Sequence, residues 1–256
     1  MSRDIENGDY YRKVLDQLLI IGESMLTSGA SVNRVEEMLR KMGKSYGAIR
    51  MDVFVITSCV IVTIDFGNGI ELTQTRRILS PGGSEFYRVE DFTKLCDKCC
   101  HEPLSIEKFT KEIEAVKKVE YPEKAIYIGS ALAASGFAVF FGGSLLDGIL
   151  AALVGLFTCY CQAHVGHIAF NHVVYLLMCA FLSGLVITGM GAISENIHPD
   201  MIMIGDIMLL IPGIAMTNSV RDILVGDTIS GLMRLIETIV WAGALACGFM
   251  IPMWIM

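Results

Sequence analysis

Three ionisable side chains lie inside long apolar stretches of the chain, where they could carry protons or ions. They are Asp147, Asp206 and Glu237. A charged group in hydrocarbon is costly, so such residues often mark a substrate or ion pathway. Asp147 and Glu237 lie near the ends of their stretches, where a carboxylate can equally cap a helix or reach the membrane surface. Asp206 lies further inside and is the strongest of the three candidates.

The Pro212-Gly213 pair interrupts the apolar stretch that contains Asp206. Proline lacks a backbone N–H and glycine loosens the chain, so amides and carbonyls become free at membrane depth. Transporters use such broken helices to coordinate substrates and ions. The alternative interpretation is a plain proline kink.

The densest polar cluster of the second half follows directly. A guanidinium in it can bind a carboxylate through two parallel hydrogen bonds. The same arginines can instead pair with Asp222 or Asp227 and hold the loop still, which is the more ordinary role. The cluster comprises Asn218, Ser219, Arg221, Asp222, Gly226, Asp227, Thr228, Ser230, Gly231 and Arg234.

Two groups of potential metal ligands give only weak signals. His164, His167 and His172 have no carboxylate or cysteine at ligand spacing, which favours polar capping at a membrane surface over a metal site. A single C-x-x-C, Cys96 to Cys99, followed by Cys100 and His101, is poor support for zinc. The chain also lacks nucleotide-binding and hydrolase motifs, so we expect no metal, no cofactor and no enzyme activity.

Composition separates the chain into two halves. Of 256 residues, 53% are hydrophobic and 18% are charged, against about 25% charged in an ordinary soluble domain. Residues 1–124 carry 18 basic and 20 acidic residues, whereas residues 125–256 carry two and seven. We therefore predict an aqueous domain followed by a lipid-embedded one. The net charge of −7 argues against a nucleic-acid partner.

The first half, residues 1–124, has the pattern of an α+β domain. Helical spacing covers Tyr10 to Thr27, and Ser31 is placed to cap a second helix. Three short runs rich in β-branched residues then predict an antiparallel sheet, with a turn at Gly67-Asn68-Gly69. Two further helices are expected at 87–101 and 105–118.

The second half, residues 125–256, predicts an all-α bundle of five membrane helices. The expected spans are 125–141, 145–163, 172–191, 201–217 and 235–255, each near the roughly 20 residues needed to cross a bilayer. Basic residues precede the first span, so the N-terminal domain should face the cytoplasm. Arg221 and Arg234 then fall in a second cytoplasmic loop.

Three segments of the chain carry recognisable motifs. The early segment is the helix–Gly-Ala–helix at 26–36, and the next ends the β-rich run at 73–77. The late segment, 209–227, is the most specific and contains Pro212, Gly213, Asn218, Asp222 and Gly226. Together these segments resemble the threonine/serine exporter family, in particular the larger subunit of its split two-component type.

The resemblance implies a subunit of a secondary exporter in the cytoplasmic membrane. It implies a smaller membrane subunit as partner. Five predicted spans are an odd number of helices, so we also expect a hetero- or homo-oligomer to enclose the pathway. The substrates would be threonine/serine-type amino acids or a dicarboxylate such as succinate. Asp206 or Glu237 would carry a coupling proton. Asp222 or Asp206 could hold a zwitterion, and Arg221 with Arg234 a dicarboxylate.

Two alternatives remain at this stage. One is a membrane-anchored enzyme or sensor with its site in the N-terminal domain. The other is a metal transporter that uses the three histidines of residues 164–172. Candidate residues for the enzyme or sensor are Arg34, Glu36, Glu37, Asp65, Thr73, Thr75 and Arg76.

Overall fold

The computed structural model describes residues 2–67, 69–79, 85–119, 122–166, 169 and 171–255, with side chains from residue 8 onward. The chain is mostly helical, at 74%, with one small sheet. It forms two compact units. Unit 1 comprises Met1–Val119 and Ile214–Leu235, and unit 2 comprises Glu120–Gly213 and Ile236–Met256. The sequence predicted a single boundary between two domains near residue 124. It did not predict that residues 214–235 would group with the first unit.

Unit 1 contains the predicted three-stranded antiparallel sheet, in the order β1-β2-β3. Side chains alternate along each strand, so Val53, Val55, Val60, Val62 and Ile64 point into the core. Each such side chain contributes roughly 1.5–3 kcal/mol by its burial. The elements are α1 (Ser2–Thr27), α2 (Val32–Ser45), β1 (Arg50–Ile56), β2 (Cys59–Asp65), β3 (Glu71–Arg77), α3 (Phe86–His101) and α4 (Ile106–Lys118).

The remaining six helices include the long apolar helices of the second half of the chain. Where these helices pack within unit 2, glycine allows close approach: a Cβ on Gly205 would lie 2.5 Å from the Ala134 carbonyl oxygen, and one on Gly248 would lie 2.6 Å from Ala180 Cβ. The helices are α5 (Glu123–Phe140), α6 (Leu145–Val165), α7 (His172–Gly191), α8 (Pro199–Leu210), α9 (Gly213–Val225) and α10 (Thr228–Ile255).

The predicted five-helix membrane bundle is not confirmed. Among the described residues, three helices are long and apolar enough to cross a membrane, namely α6, α7 and α10. The pair α8 and α9 would make a fourth if it forms one broken span. The first predicted span, 125–141, falls mostly in α5, which is not among the helices that qualify.

The fourth predicted span, 201–217, is not one continuous helix. The chain bends by 55° between α8 and α9. Pro212 cannot donate a backbone hydrogen bond, and its ring obstructs continuation of the preceding helix. The Gly213 N–H instead bonds the Ile211 carbonyl oxygen at 2.8 Å. The break predicted from Pro212-Gly213 therefore occurs, and it is a sharp bend between two helices.

Candidate functional site

A fully buried carboxylate, Asp206, lies on α8 in unit 2. Its solvent exposure is 0%, and both of its oxygens accept from the Thr158 hydroxyl on α6, at 2.8 and 3.0 Å. Thr158 Oγ1 also lies 2.6 Å from Ser183 Oγ on α7. Thr158 and Ser183 are themselves 0% exposed. Three apolar helices thus converge on one continuous group of polar side chains, which we call the Asp206 triad.

The direction of the hydrogen bonds within the Asp206 triad depends on whether Asp206 carries a proton. A hydroxyl can donate one hydrogen bond, and Thr158 donates it to the ionised Asp206. Ser183 must then be the donor in its bond to Thr158. If Asp206 carries a proton, the order can reverse, so that Asp206 donates to Thr158 and Thr158 donates to Ser183. Both states satisfy Thr158 without moving a helix.

The Asp206 triad has no cationic partner within the part of the chain that the structure describes. None of the ion pairs found there involves Asp206. A buried charge without a counter-ion is costly, and the hydrogen bond donated by the Thr158 hydroxyl offsets only part of that cost. Such a carboxylate is suited to change its charge state.

Asp147, another predicted site residue, has a structural role at the start of α6. Ser144 and Asp147 form a capping box, with Ser144 N and Oγ each donating to Asp147 Oδ2 at 2.7 Å. The same carboxylate binds the backbone N–H and the Nδ1 atom of His198, each at 2.9 Å. Asp147 therefore joins the first turn of α6 to the first turn of α8. The sequence analysis had considered a helix cap as one role for Asp147, but it did not predict that His198 would bind this carboxylate.

A second buried polar group lies in unit 1, between α9 and α10. Arg234 Nη1 is 3.4 Å from Asp222 Oδ2, and these side chains are 12% and 2% exposed. Asp227 Oδ2 is buried and has no hydrogen-bond partner among the described residues. The group thus contains two carboxylates and one buried guanidinium. We call Asp222, Asp227 and Arg234 the hairpin cluster.

Two glycines shape the α9–α10 hairpin. Gly226 has φ +106°, a left-handed conformation, and it ends α9 with two hydrogen bonds, Gly226 N to Ile223 O and Asp227 N to Asp222 O. A Cβ on Gly231 would lie 2.7 Å from the Ser219 carbonyl oxygen, so the two helices touch backbone to backbone. These constraints bring Asp222 and Arg234 together.

The hairpin contacts the N-terminal elements within unit 1. Asn218 Nδ2 donates to the Gly29 carbonyl oxygen at 3.4 Å, and Ser230 Oγ donates to the Val55 carbonyl oxygen at 3.5 Å. Gly29 belongs to segment 26–36 and Asn218 to segment 209–227, two of the segments that resemble the exporter family. Segments 189 residues apart in sequence therefore meet.

The other predicted site residues are more exposed. Arg221 lies on the surface of α9, and Glu237 on that of α10. Pro212 and Gly213 lie at the bend between α8 and α9. The candidates are divided between the two units: Asp206 belongs to unit 2, whereas Asp222 and Arg234 belong to unit 1.

The residues considered for an enzyme or sensor site stabilise unit 1. Glu36 Oε1 accepts from Val55 N at 3.1 Å, so it satisfies an edge position of β1. Arg34 donates to Thr93 Oγ1, and Arg76 pairs with both Asp16 and Glu23 of α1. Each of these contacts ties a helix to its neighbour.

No metal site is found among the described residues. His164 Nδ1 contacts the Tyr160 carbonyl oxygen, and His172 packs edge-on against Trp241, while His167 lies outside the described residues. Cys96 and Cys99 are buried in α3, and burial raises the pKa of both thiols, which keeps them protonated near neutral pH. They pack as small apolar residues.

Comparison with known proteins then decides the family. The model of the family ThrE, described as "Putative threonine/serine exporter", matches residues 16–256. The chain belongs to this threonine/serine exporter family. No curated protein and no solved structure matches the chain.

Membership of the threonine/serine exporter family has two consequences. The family is one of transporters, not of enzymes. Together with the apolar helices it indicates a multi-pass membrane protein that takes part in transport. Within such a protein, the Asp206 triad and the hairpin cluster are buried polar groups whose burial costs free energy, which makes them candidates for a functional role.

Proposed function

We propose that this threonine/serine exporter family member is the larger subunit of a secondary exporter that moves small polar metabolites out of the cell. The observation that carries the proposal is the buried Asp206 carboxylate, which lies among three apolar helices, accepts from the Thr158 hydroxyl and has no cationic partner among the described residues. With no nucleotide-binding motif in the chain, export must draw on an ion gradient or on a partner.

In the proposed cycle, Asp206 exchanges one proton for each metabolite exported. The ionised carboxylate takes up a proton from outside and releases it to the cytoplasm, while the metabolite moves outward. Thr158 and Ser183 keep their own protons and reverse only the direction in which they donate. The two states of the Asp206 triad therefore differ by a single proton on Asp206.

The hairpin cluster favours amino acids over dicarboxylates as the substrate. A dicarboxylate such as succinate needs two free cationic donors, but Arg234 is already paired with Asp222. The buried Asp227 Oδ2 has no partner among the described residues and can accept from an ammonium group. We therefore favour threonine/serine-type amino acids, with their ammonium group near Asp227.

The orientation and the partner follow from the sequence and the family resemblance. Lys111, Lys117, Lys118 and Lys124 precede the first apolar helix, which favours a cytoplasmic N-terminus in the cytoplasmic membrane. The helix count favours assembly with a smaller membrane subunit of the same family, or with further copies of this chain.

Efflux from cells loaded with threonine-containing dipeptides tests the proposal. The chain would be expressed with and without the smaller subunit, and compared with cells that lack both. Asp206→Asn should abolish efflux while membrane insertion is unchanged. The matched control is Asp200→Asn, an exposed carboxylate in the first turn of the same helix, which should export normally. Normal efflux from Asp206→Asn would refute the role given to Asp206.

A further inference from the structure

A cleft between α1 and β3 in unit 1 has the features of a ligand site that the proposed export function does not use. Its volume is about 270 Å³, and it is lined by Arg12, Leu15, Leu72, Thr73 and Gln74. The lining thus combines a cation, an amide, a hydroxyl and two leucine side chains. These are the few convergent polar groups and apolar walls that small-molecule sites share.

The strongest indication of a ligand site in this cleft is the Gln74 amide. Its Oε1 atom is buried and has no hydrogen-bond partner among the described residues. Leaving a buried acceptor unpaired costs free energy, so such atoms are rare unless something else occupies the space beside them. On α1, the Oε1 atom of Gln17 is buried and unpaired in the same way. The layer between α1 and β3 therefore has a surplus of acceptors.

Arg12 supplies the complementary charge. Its side chain is exposed, and among the residues with described side chains it takes part in no ion pair. The acidic residues of the same helix whose side chains are described are already engaged: Asp9 pairs with Lys13, and Asp16 and Glu23 pair with Arg76. Among the described side chains, none therefore forms an ion pair with the guanidinium of Arg12, a group that can bind an anion through two parallel hydrogen bonds.

We propose that this cleft binds a small carboxylic acid with an N–H or O–H donor next to its carboxylate, as in an α-amino acid. The carboxylate pairs with Arg12, and the adjacent donor bonds Gln74 Oε1. Leu15 and Leu72 take up a short aliphatic side chain. Thr73 contributes less, because its hydroxyl already shares a hydrogen bond with Thr63 Oγ1 at 2.9 Å.

The test is calorimetric titration of the purified full-length chain in lipid nanodiscs with L-threonine and with succinate. The Asp227→Ala variant serves as the background, because it removes the carboxylate proposed to bind the ammonium group at the transport site, so that binding there does not obscure the result. L-threonine should bind this variant, and succinate, which lacks the adjacent donor, should bind at least about tenfold more weakly.

Arg12→Gln and Gln74→Met should each weaken L-threonine binding by at least about tenfold, the loss expected for one charge-assisted or otherwise unmatched hydrogen bond. Lys13→Gln is the matched control on the same turn and should leave binding unchanged.

Absence of L-threonine binding, or equal binding by Arg12→Gln and Lys13→Gln, would overturn the proposal and leave only water in the cleft. Arg12 is exposed, so its variant keeps the test decisive if Gln74→Met fails to fold. Failure of Asp206→Asn to stop efflux would refute the export mechanism and leave the cleft unaffected.

Discussion

At the scale of single residues, Thr158 is the group on which the Asp206 triad depends, because its hydroxyl bonds both Asp206 and Ser183. Thr158→Val keeps the shape and removes the hydroxyl. A hydrogen bond to a charged group is worth about 1.5–3 kcal/mol, so efflux should fall about tenfold or more. Thr188→Val is the control, since Thr188 Oγ1 bonds only the Gly184 carbonyl oxygen of its own helix. Equal efflux from both variants would show that the hydroxyl chain is not needed.

The Arg234–Asp222 pair makes a prediction about stability. Arg234→Gln removes the buried cation that pairs with Asp222, a carboxylate that also lies near Asp227. Breaking a buried ion pair by removing one partner costs about 3–5 kcal/mol. Arg221→Gln removes an exposed arginine thirteen positions earlier and should change stability by less than about 0.5 kcal/mol. Denaturant unfolding of both purified variants measures the difference, and similar midpoints would contradict the buried pair.

At the scale of elements, the α9–α10 hairpin depends on the backbone contact at Gly231. Gly231→Ala would place a methyl group 2.7 Å from the Ser219 carbonyl oxygen, so the helices must separate, at a cost of about 1–3 kcal/mol. Gly243→Ala, on the same α10, meets open space and should be neutral or mildly stabilising, because alanine is the better helix former.

Thermal unfolding compares the Gly231 and Gly243 variants directly. If Gly231→Ala unfolds at the same temperature as Gly243→Ala, the two helices do not pack as closely as described. The efflux of Gly231→Ala should fall as well, since the hairpin cluster loses its geometry.

At the scale of the whole molecule, some features were predictable because the sequence signals them locally. Alternating β-branched residues in 51–77 predicted the sheet, and Pro212-Gly213 predicted the break that the structure places between α8 and α9. Long apolar stretches predicted membrane helices, although only α6, α7 and α10 qualify as continuous spans among the described residues.

Other features depend on contacts that are distant in sequence. Thr158 and Ser183 were missed because a hydroxyl in an apolar helix usually bonds its own backbone, as Thr188 does. The grouping of 214–235 with unit 1 was missed because apolar periodicity does not reveal whether a helix faces lipid or another element. The contact between Asn218 and Gly29 has no local signature at all.

The central claim is that Asp206 carries the coupling proton, and proton flux tests it most directly. The chain and its smaller subunit would be reconstituted in vesicles with a pH-sensitive dye inside. Wild-type protein should move protons when threonine is exported against a gradient. Asp206→Asn should show no coupled proton movement, while threonine exchange at equal concentrations persists. Proton flux in Asp206→Asn equal to that of the wild type would contradict the account.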